Sequence, residues 1–139
     1  MIASGNPNQW IDGYPQKYFI LNEIKQEHCY VCVTAQQVIV GTFCLLQGPD
    51  PTYNKIYDGN WLNDEPYYVI HRLASSGRIK GIGNVCLDWC IRKYKNLRID
   101  THSDNRIMQL LVERHGFLKC GIIYVANGSS RIAYQRVSP

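Results

Sequence analysis

The sequence predicts a mixed α/β fold (α+β, one mixed sheet), mostly antiparallel with one parallel strand pair. Three observations predict it. Residues 67–101 read as strand, glycine-containing run, amphipathic helix and second strand, and that order requires a parallel pair with a right-handed crossover. Two further pairs of β-branched, apolar runs are joined by short turns and read as antiparallel hairpins. The chain has 139 residues, of which 45% are apolar and 19% charged. That is enough for one domain with a real core.

Each element follows from its pattern. Residues 1–14 are rich in Gly, Asn, Pro and Trp and read as an irregular arm. Pro15 at a first helical position, followed by Tyr18, Phe19, Leu21 and Ile24, predicts a short helix over 15–26. Residues 29–34 and 38–46 predict a hairpin around Ala35-Gln36-Gln37. Residues 48–66, with several Pro, Gly, Asn and Asp, read as a long surface loop of the kind that is usually functional or mobile. The run 67–74 is the next strand, and 82–95 is a helix whose Arg92, Lys93 and Lys95 suit its negative end. Residues 97–101 form a short strand. Ser103 or Asp104 is expected to cap a helix that runs to His115 and stops at Gly116. Strands 117–125 and 131–137 close the chain around Asn127-Gly128-Ser129.

The bulk numbers exclude several classes. A formal charge of +4 accommodates an anionic ligand but lacks the dense basic stripe of a nucleic-acid binder, so no nucleic-acid partner is expected. No apolar stretch has the length of a membrane span and the N-terminus has no export pattern, so a cytoplasmic protein with no membrane partner is expected. Six cysteines are expected to be reduced and mostly buried. Cys29 and Cys32 form a CxxC on a strand, which puts the two thiols on opposite faces, unlike a zinc knuckle. Cys86 and Cys90 sit in a helical apolar pattern as small core residues. No metal site is expected.

The most informative stretch is Arg78-Ile79-Lys80-Gly81-Ile82-Gly83. It follows a strand and opens a helix, so it offers a row of backbone N–H groups at a positive helix end, a binding place for phosphate or pyrophosphate. It is neither a P-loop nor a dinucleotide fingerprint. Downstream, Arg98-Ile-Asp-Thr-His-Ser-Asp-Asn105 leaves a strand and enters a helix, and His115-Gly116-Phe117 closes that helix.

This constellation resembles the GNAT superfamily of N-acetyltransferases, over roughly residues 29–137. It also looks like a bacterial subgroup carrying "NPNQW", "YYVIHRLASSG" and "RIDTH-DN--MQ", here at 6–10, 67–77 and 98–109. The resemblance implies a single acetyl-CoA-binding acetyltransferase domain, 1–139, with a sheet splayed at the 67 and 97 strands. Acetyl-CoA is the implied co-substrate, and a small-molecule or protein amine the acceptor. Backbone amides of Ile79, Lys80, Gly81, Ile82 and Gly83, with Asn84, would hold the pyrophosphate. Arg78 would stand at the loop start. The main chain of Leu73 and Ala74 would run beside the pantetheine arm, the N–H near Leu73 would polarise the acetyl carbonyl, and Asn105 would hydrogen-bond the arm.

A base must take a proton from the attacking amine. The resemblance offers Asp100 and His71, on strands expected to be parallel neighbours, with His102 as a third. Their other readings are a pair of Asp100 with Arg98 or Arg72, a core role for His71, and a turn-orienting role for His102. Val112 stands where many members carry an acidic tyrosine, leaving Tyr124, Tyr134 or water to protonate the thiolate. Trp10, Tyr14, Trp61, Tyr67 and Tyr68 either line the acceptor cleft or fill the core. By the resemblance, the family's usual first strand and helix are expected to be missing, and the 29–34 strand is expected to be an exposed edge that invites a homodimer. The alternative to an enzyme is a CoA-binding module without turnover.

Overall fold

A computed structural model describes residues 20–24 and 28–139, so the 1–14 arm and Trp10 and Tyr14 lie outside the described residues. The chain has a mixed α/β fold of seven strands and two helices among the described residues, in the order β1 (Ile20–Ile24), β2 (Cys29–Val33), β3 (Ile39–Gln47), β4 (Tyr68–Ser75), α1 (Ile82–Lys93), β5 (Asn96–Thr101), α2 (Arg106–Arg114), β6 (Leu118–Tyr124) and β7 (Ser130–Val137). It forms two compact units, Met1–Leu45 with Arg72–Cys86, and Leu46–His71 with Leu87–Pro139. No helix among the described residues is long and apolar enough to cross a membrane.

In the first unit β1, β2 and β3 form an antiparallel meander. The expected helix over 15–26 is corrected here. Its residues 20–24 are a strand, paired from Ile20↔Val33 to Ile24↔Cys29, because backbone pairing along a whole strand outweighs a weak helical spacing. With β1 in place β2 is not an edge, and the expected open edge disappears. The predicted hairpin turn is present. Thr34 Oγ1 accepts from the N–H of Gln36 and of Val38, both at 3.2 Å, and Gln37 takes the left-handed conformation at φ 70°.

The expectation of six reduced thiols is also corrected. Cys29 and Cys44 stand opposite one another in the β2–β3 register and form a disulfide. Cys32, Cys86, Cys90 and Cys120 are buried and form no disulfide, as read from their patterns. Burial pushes the Cys90 thiol up to about 12, so it stays protonated and inert. Gly41 is required by packing: a Cβ there would stand 2.5 Å from Cγ2 of Ile82. The glycine thus lets the first residue of α1 lie directly on β3.

In the second unit β4 pairs with β5 in parallel, β5 with β7 and β7 with β6 antiparallel. The parallel ladder covers Tyr68↔Leu97 and Val69↔Arg98. Ile70 and His71 continue along β4 with no β5 partner among the described residues, so the two strands part at their C-terminal ends, as the splayed-sheet expectation requires. Tyr53, Val69, Ile123 and Ala133 form a buried core, with Ile56, Trp61 and Tyr67 packed against it. Helix α2 ends as its sequence demands. Gly116 has φ 88°, and the N–H groups of Gly116 and Phe117 reach Glu113 O and Val112 O. These are the paired bonds of a Schellman stop.

Candidate functional site

The segment from β4 into α1 belongs to the first unit from Arg72 to Cys86. Arg72 is left-handed at φ 58° in the middle of a strand, a conformation that costs an ordinary residue about 1–2 kcal/mol and tends to persist at functional sites. Nothing in the sequence signals it, since arginine does not favour that region. At the end of β4 the hydroxyls of Ser75 and Ser76 accept from Gly77 N and Arg78 N, both at 3.2 Å. Two glycines then turn the chain, Gly77 at φ 80° and Gly81 at φ 85°.

The bond from Val85 N to Gly81 O, 3.1 Å long, closes the first α-helical turn. The amides of Ile82 and Gly83 precede it, at the end where helix geometry directs N–H groups outward and the dipole is positive. The Ile82 side chain is buried at 1% exposure, so only its main chain can serve a ligand. Arg78 and Lys80 are exposed and add positive charge. Leu73, Ala74, Arg78, Ile79, Lys80, Gly81, Ile82, Gly83 and Asn84 thus form one continuous strand, turn and helix start suited to an extended anionic ligand.

In the second unit the 48–66 loop proves to be ordered around a 3-10 turn, Pro51–Tyr53. Asp50 caps that turn, its Oδ1 accepting from Thr52 N at 3.0 Å, and its Oδ2 lies 3.1 Å from Nε2 of His71. Tyr53 donates its hydroxyl proton to Oδ2 of Asp100 at 2.6 Å, the length of a charge-assisted bond. The turn therefore holds His71 on β4 with its first residue's neighbour and Asp100 on β5 with its last residue. Burial, followed by the Asp100 charge, pushes the Tyr53 phenol well above its usual range, so it acts as a donor and not as an anion.

Beneath this turn Arg98 is buried at 4% exposure. Its guanidinium lies 4.0 Å from the Trp61 ring centroid and 3.9 Å from that of Tyr67, and Nη2 donates to Asn63 O at 2.9 Å. Asp100 therefore does not take Arg98 as its partner. Desolvation pushes the guanidinium pKa down from its usual value. Two cation–π contacts contribute about 1 kcal/mol each, while the Nε without a partner costs about as much. The net effect is placement of the aromatic rings, not stability. Trp61 Nε1 donates to Tyr53 O at 3.0 Å, and Tyr67 OH accepts from Asp50 N at 2.9 Å. Trp61 and Tyr67 thus take the core reading, and Tyr68 stacks on Tyr94 at 3.6 Å.

Asn63 Oδ1 accepts from Asn96 Nδ2 and Gln135 Nε2, at 3.1 and 3.2 Å, and Gln135 Oε1 accepts from Leu62 N at 2.8 Å. Gln135 is completely buried, so this network fastens the far end of the loop to β5 and β7.

The helix cap is Asn105, and neither Ser103 nor Asp104 fills that role. Asn105 Oδ1 accepts from Met108 N at 3.0 Å, which leaves its Nδ2 donors for a ligand. His102 Nδ1 accepts from Asp104 N at 3.0 Å, so its turn-orienting reading fits. Val112 is completely buried. Tyr134 is buried too, and donates to Glu113 Oε2 at 3.0 Å. Burial and that carboxylate push its phenol up to about 12, which makes it a poor acid. Tyr124 is half exposed and meets Tyr57 edge-on at 5.3 Å. Asp100 faces Ala133 on β7, Ala133 faces Gly121 on β6, and Tyr124 lies three residues further along. Sheet spacing then separates Asp100 and Tyr124 by about 14 Å. Sequence reasoning missed Asp50 and Tyr53. Their one visible signal was the Asp-Pro step, a turn-initiating pair.

The model of the Acetyltransferase (GNAT) family matches residues 3–117. No curated protein matches the chain. Among solved structures, a GNAT-family acetyltransferase from Streptococcus agalactiae is similar at 28% identity and a TM-score of 0.73, over 80% of this chain and 65% of that one. The chain thus spans less than two thirds of that relative. A GNAT-family acetyltransferase from Elizabethkingia anophelis with acetyl-CoA bound is 18% identical, with a TM-score of 0.55, over 78% and 74% of the two chains. The NatC complex bound to Gag peptide and CoA gives 16% identity and a TM-score of 0.55, over 80% and 71%. The last two likenesses bear on the fold alone.

Proposed function

Because the chain belongs to the GNAT acetyltransferase family, we propose that it moves an acetyl group from acetyl-CoA to a primary amine by direct attack. The observation that carries this reading is the strand, two-glycine turn and helix start over residues 72–85, with left-handed backbone at Arg72, Gly77 and Gly81. In this reading the amides of residues 79–83, with Asn84, receive the pyrophosphate, and Arg78 and Lys80 add a field that favours it. Leu73 and Ala74 run along the pantetheine arm, and the Leu73 N–H polarises the thioester carbonyl. Asn105 offers its Nδ2 donors to the same arm.

The chemistry is a single displacement. The neutral amine nitrogen forms a C–N bond to the acetyl carbon, and the C–S bond breaks. The proton lost by nitrogen goes to His71 or Asp100, the two bases held by the 51–53 turn. The CoA thiolate takes a proton from water, with Tyr124 in reach only through intervening water. The acceptor is a small-molecule or protein amine.

Val112, buried where an acidic tyrosine is usual, together with the committed hydroxyl of Tyr134, favours a second reading, a CoA-binding module without turnover. Calorimetric titration with acetyl-CoA, followed by thiol release against a panel of amines, separates the two. Binding with amine-dependent thiol release is expected. Binding with no release on any amine selects the second reading, and no binding removes both.

A further inference from the structure

We infer that Asp50 is the positioning residue of the base: it holds the His71 ring with its proton on Nε2, so that Nδ1 carries the lone pair that takes the amine proton. This inference rests on the acetyl-transfer reading above and decides between its two candidate bases.

The geometry supports it in three steps. An ionised carboxylate only accepts hydrogen bonds, so an imidazole nitrogen 3.1 Å from Asp50 Oδ2 must carry its hydrogen. In a neutral ring the other nitrogen, Nδ1, is then the acceptor. Asp50 is itself fixed at three points. Its N–H donates to Tyr67 OH at 2.9 Å, its Oδ1 accepts from Thr52 N at 3.0 Å, and its carbonyl accepts from Tyr53 N at 2.8 Å. Tyr67 is held in turn by its ring on Arg98 and by Gly48 N donating to its carbonyl at 2.9 Å. The carboxylate is therefore tethered at both oxygens, Oδ1 by Thr52 N and Oδ2 by the ring it orients. The two side chains keep 30% and 20% of their surfaces exposed, enough for an amine to approach.

Asp100 is treated differently by the same turn. Its Oδ2 already accepts the Tyr53 proton, which occupies the carboxylate with a donor. The Asp50 contact instead engages only Nε2 of His71 and leaves the second ring nitrogen, Nδ1, as the acceptor. One three-residue turn thus fixes a base on β4 and shields a carboxylate on β5. Proton uptake at Nδ1 forms a ring that is cationic while Nε2–H still points at Asp50, so no proton need pass to Asp50 for the step to balance.

The test is the ring tautomer, read in protein labelled with nitrogen-15 at histidine, in long-range proton–nitrogen spectra above about pH 8, where an ordinary ring is neutral. The His71 signals are assigned by their loss in His71→Gln. The expected pattern is Nε2–H in the wild type. Asp50→Asn, whose amide both donates and accepts, is expected to mix the tautomers and to lower kcat about tenfold to a hundredfold with KM for acetyl-CoA unchanged. A wild-type Nδ1–H ring overturns the inference whether or not Asp50→Asn folds. So does wild-type kcat in a folded Asp50→Asn when His71→Gln is impaired. Wild-type kcat in His71→Gln removes the base role itself. If the wild type shows no amine-dependent thiol release at all, the transfer reading falls with it, while the tautomer still reports on the Asp50 contact.

Discussion

The turn between β4 and α1 and the cluster around the 51–53 turn are built on opposite principles. The first is made of consecutive residues and offers main-chain amides, so most of its side chains are incidental and its constraint lies in the backbone at Arg72, Gly77 and Gly81. The second joins side chains separated by 21 residues at Asp50 and His71 and by 47 at Tyr53 and Asp100, and ties the Arg98 side chain to the Asn63 carbonyl 35 residues away. A site of main-chain donors is robust to truncation of side chains and fragile to one change of backbone. A site of cross-linked side chains is sensitive at every member. Binding and chemistry should therefore fail separately.

The largest effect is expected where backbone conformation is the constraint. Gly81 has φ 85°, which a β-branched residue adopts only with strain. Gly81→Val should weaken acetyl-CoA binding about 100-fold or more, because strain of 1–3 kcal/mol adds to misdirected amides, while circular dichroism stays native. Lys80→Ala, a side-chain truncation at an exposed position, should cost less than about fivefold. Full retention of affinity in Gly81→Val would remove the pyrophosphate assignment, and a large loss in Lys80→Ala would break the contrast between the two regions.

The second effect lies in turnover. His71→Gln should lower kcat by about 10²–10⁴, the usual contribution of a positioned base, with acetyl-CoA affinity unchanged in calorimetry. Asp100→Asn should lower it less, because Asp100 already accepts from Tyr53. The reverse ranking would move the base to β5.

Legibility followed the same division. The β2–β3 hairpin, β4, α1, β5, α2 and its glycine stop, and the final hairpin were all readable, because each is set by local periodicity or by a turn residue. So was the parallel pair, because a helix between two strands leaves few topologies. The glycine turn was readable at Gly81 for the same local reason, but its other turning glycine is Gly77, before the run singled out, and Gly83 lies inside α1. What the sequence hid depends on pairing at a distance. Residues 20–24 look helical alone and become a strand against β2. Cys29 meets Cys44 only through the β2–β3 register. Three polar residues, Ser103, Asp104 and Asn105, could each cap α2, and only the folded turn selects Asn105. Asp50 and Tyr53 lay in a stretch whose composition reads as loop, and their partners are two strands that sequence separation conceals.

A third effect separates packing from backbone strain within a single residue type. A Cβ on Gly59 would stand 1.9 Å from Cys120 O, so Gly59→Ala must push the loop away from β6. The expected cost is about 1–3 kcal/mol, or roughly 3–10 °C in thermal unfolding for a chain of this length. At Gly77 a Cβ has no neighbour within 4 Å, and the φ of 80° is the sole obstacle. Gly77→Ala should cost about 1 kcal/mol. Equal shifts in the two would mean that the loop is less firmly seated than the Asn63 and Gln135 bonds imply.

The smallest effect concerns a clasp outside both regions. His115 caps the end of α2, its Nδ1 lies 3.2 Å from Asp88 Oδ1, and its side chain is 12% exposed. Burial lowers its pKa from the usual 6.5, Asp88 opposes that shift, and the Arg114 and Arg136 charges add to it. A ring whose folded pKa is depressed binds fewer protons in the native than in the unfolded state, so stability rises with pH across this window. The contribution is present above about pH 6.5 and is lost as pH falls through the folded value. The urea midpoint should therefore drop between pH 7.5 and 5.5, and less so in His115→Gln. Asp88→Asn should steepen the drop, because it removes the attraction that opposes desolvation. Neither change should alter acetyl-CoA affinity at pH 7.5. If either does, the clasp and the glycine turn are coupled, and the separation of binding from the rest of the fold no longer holds.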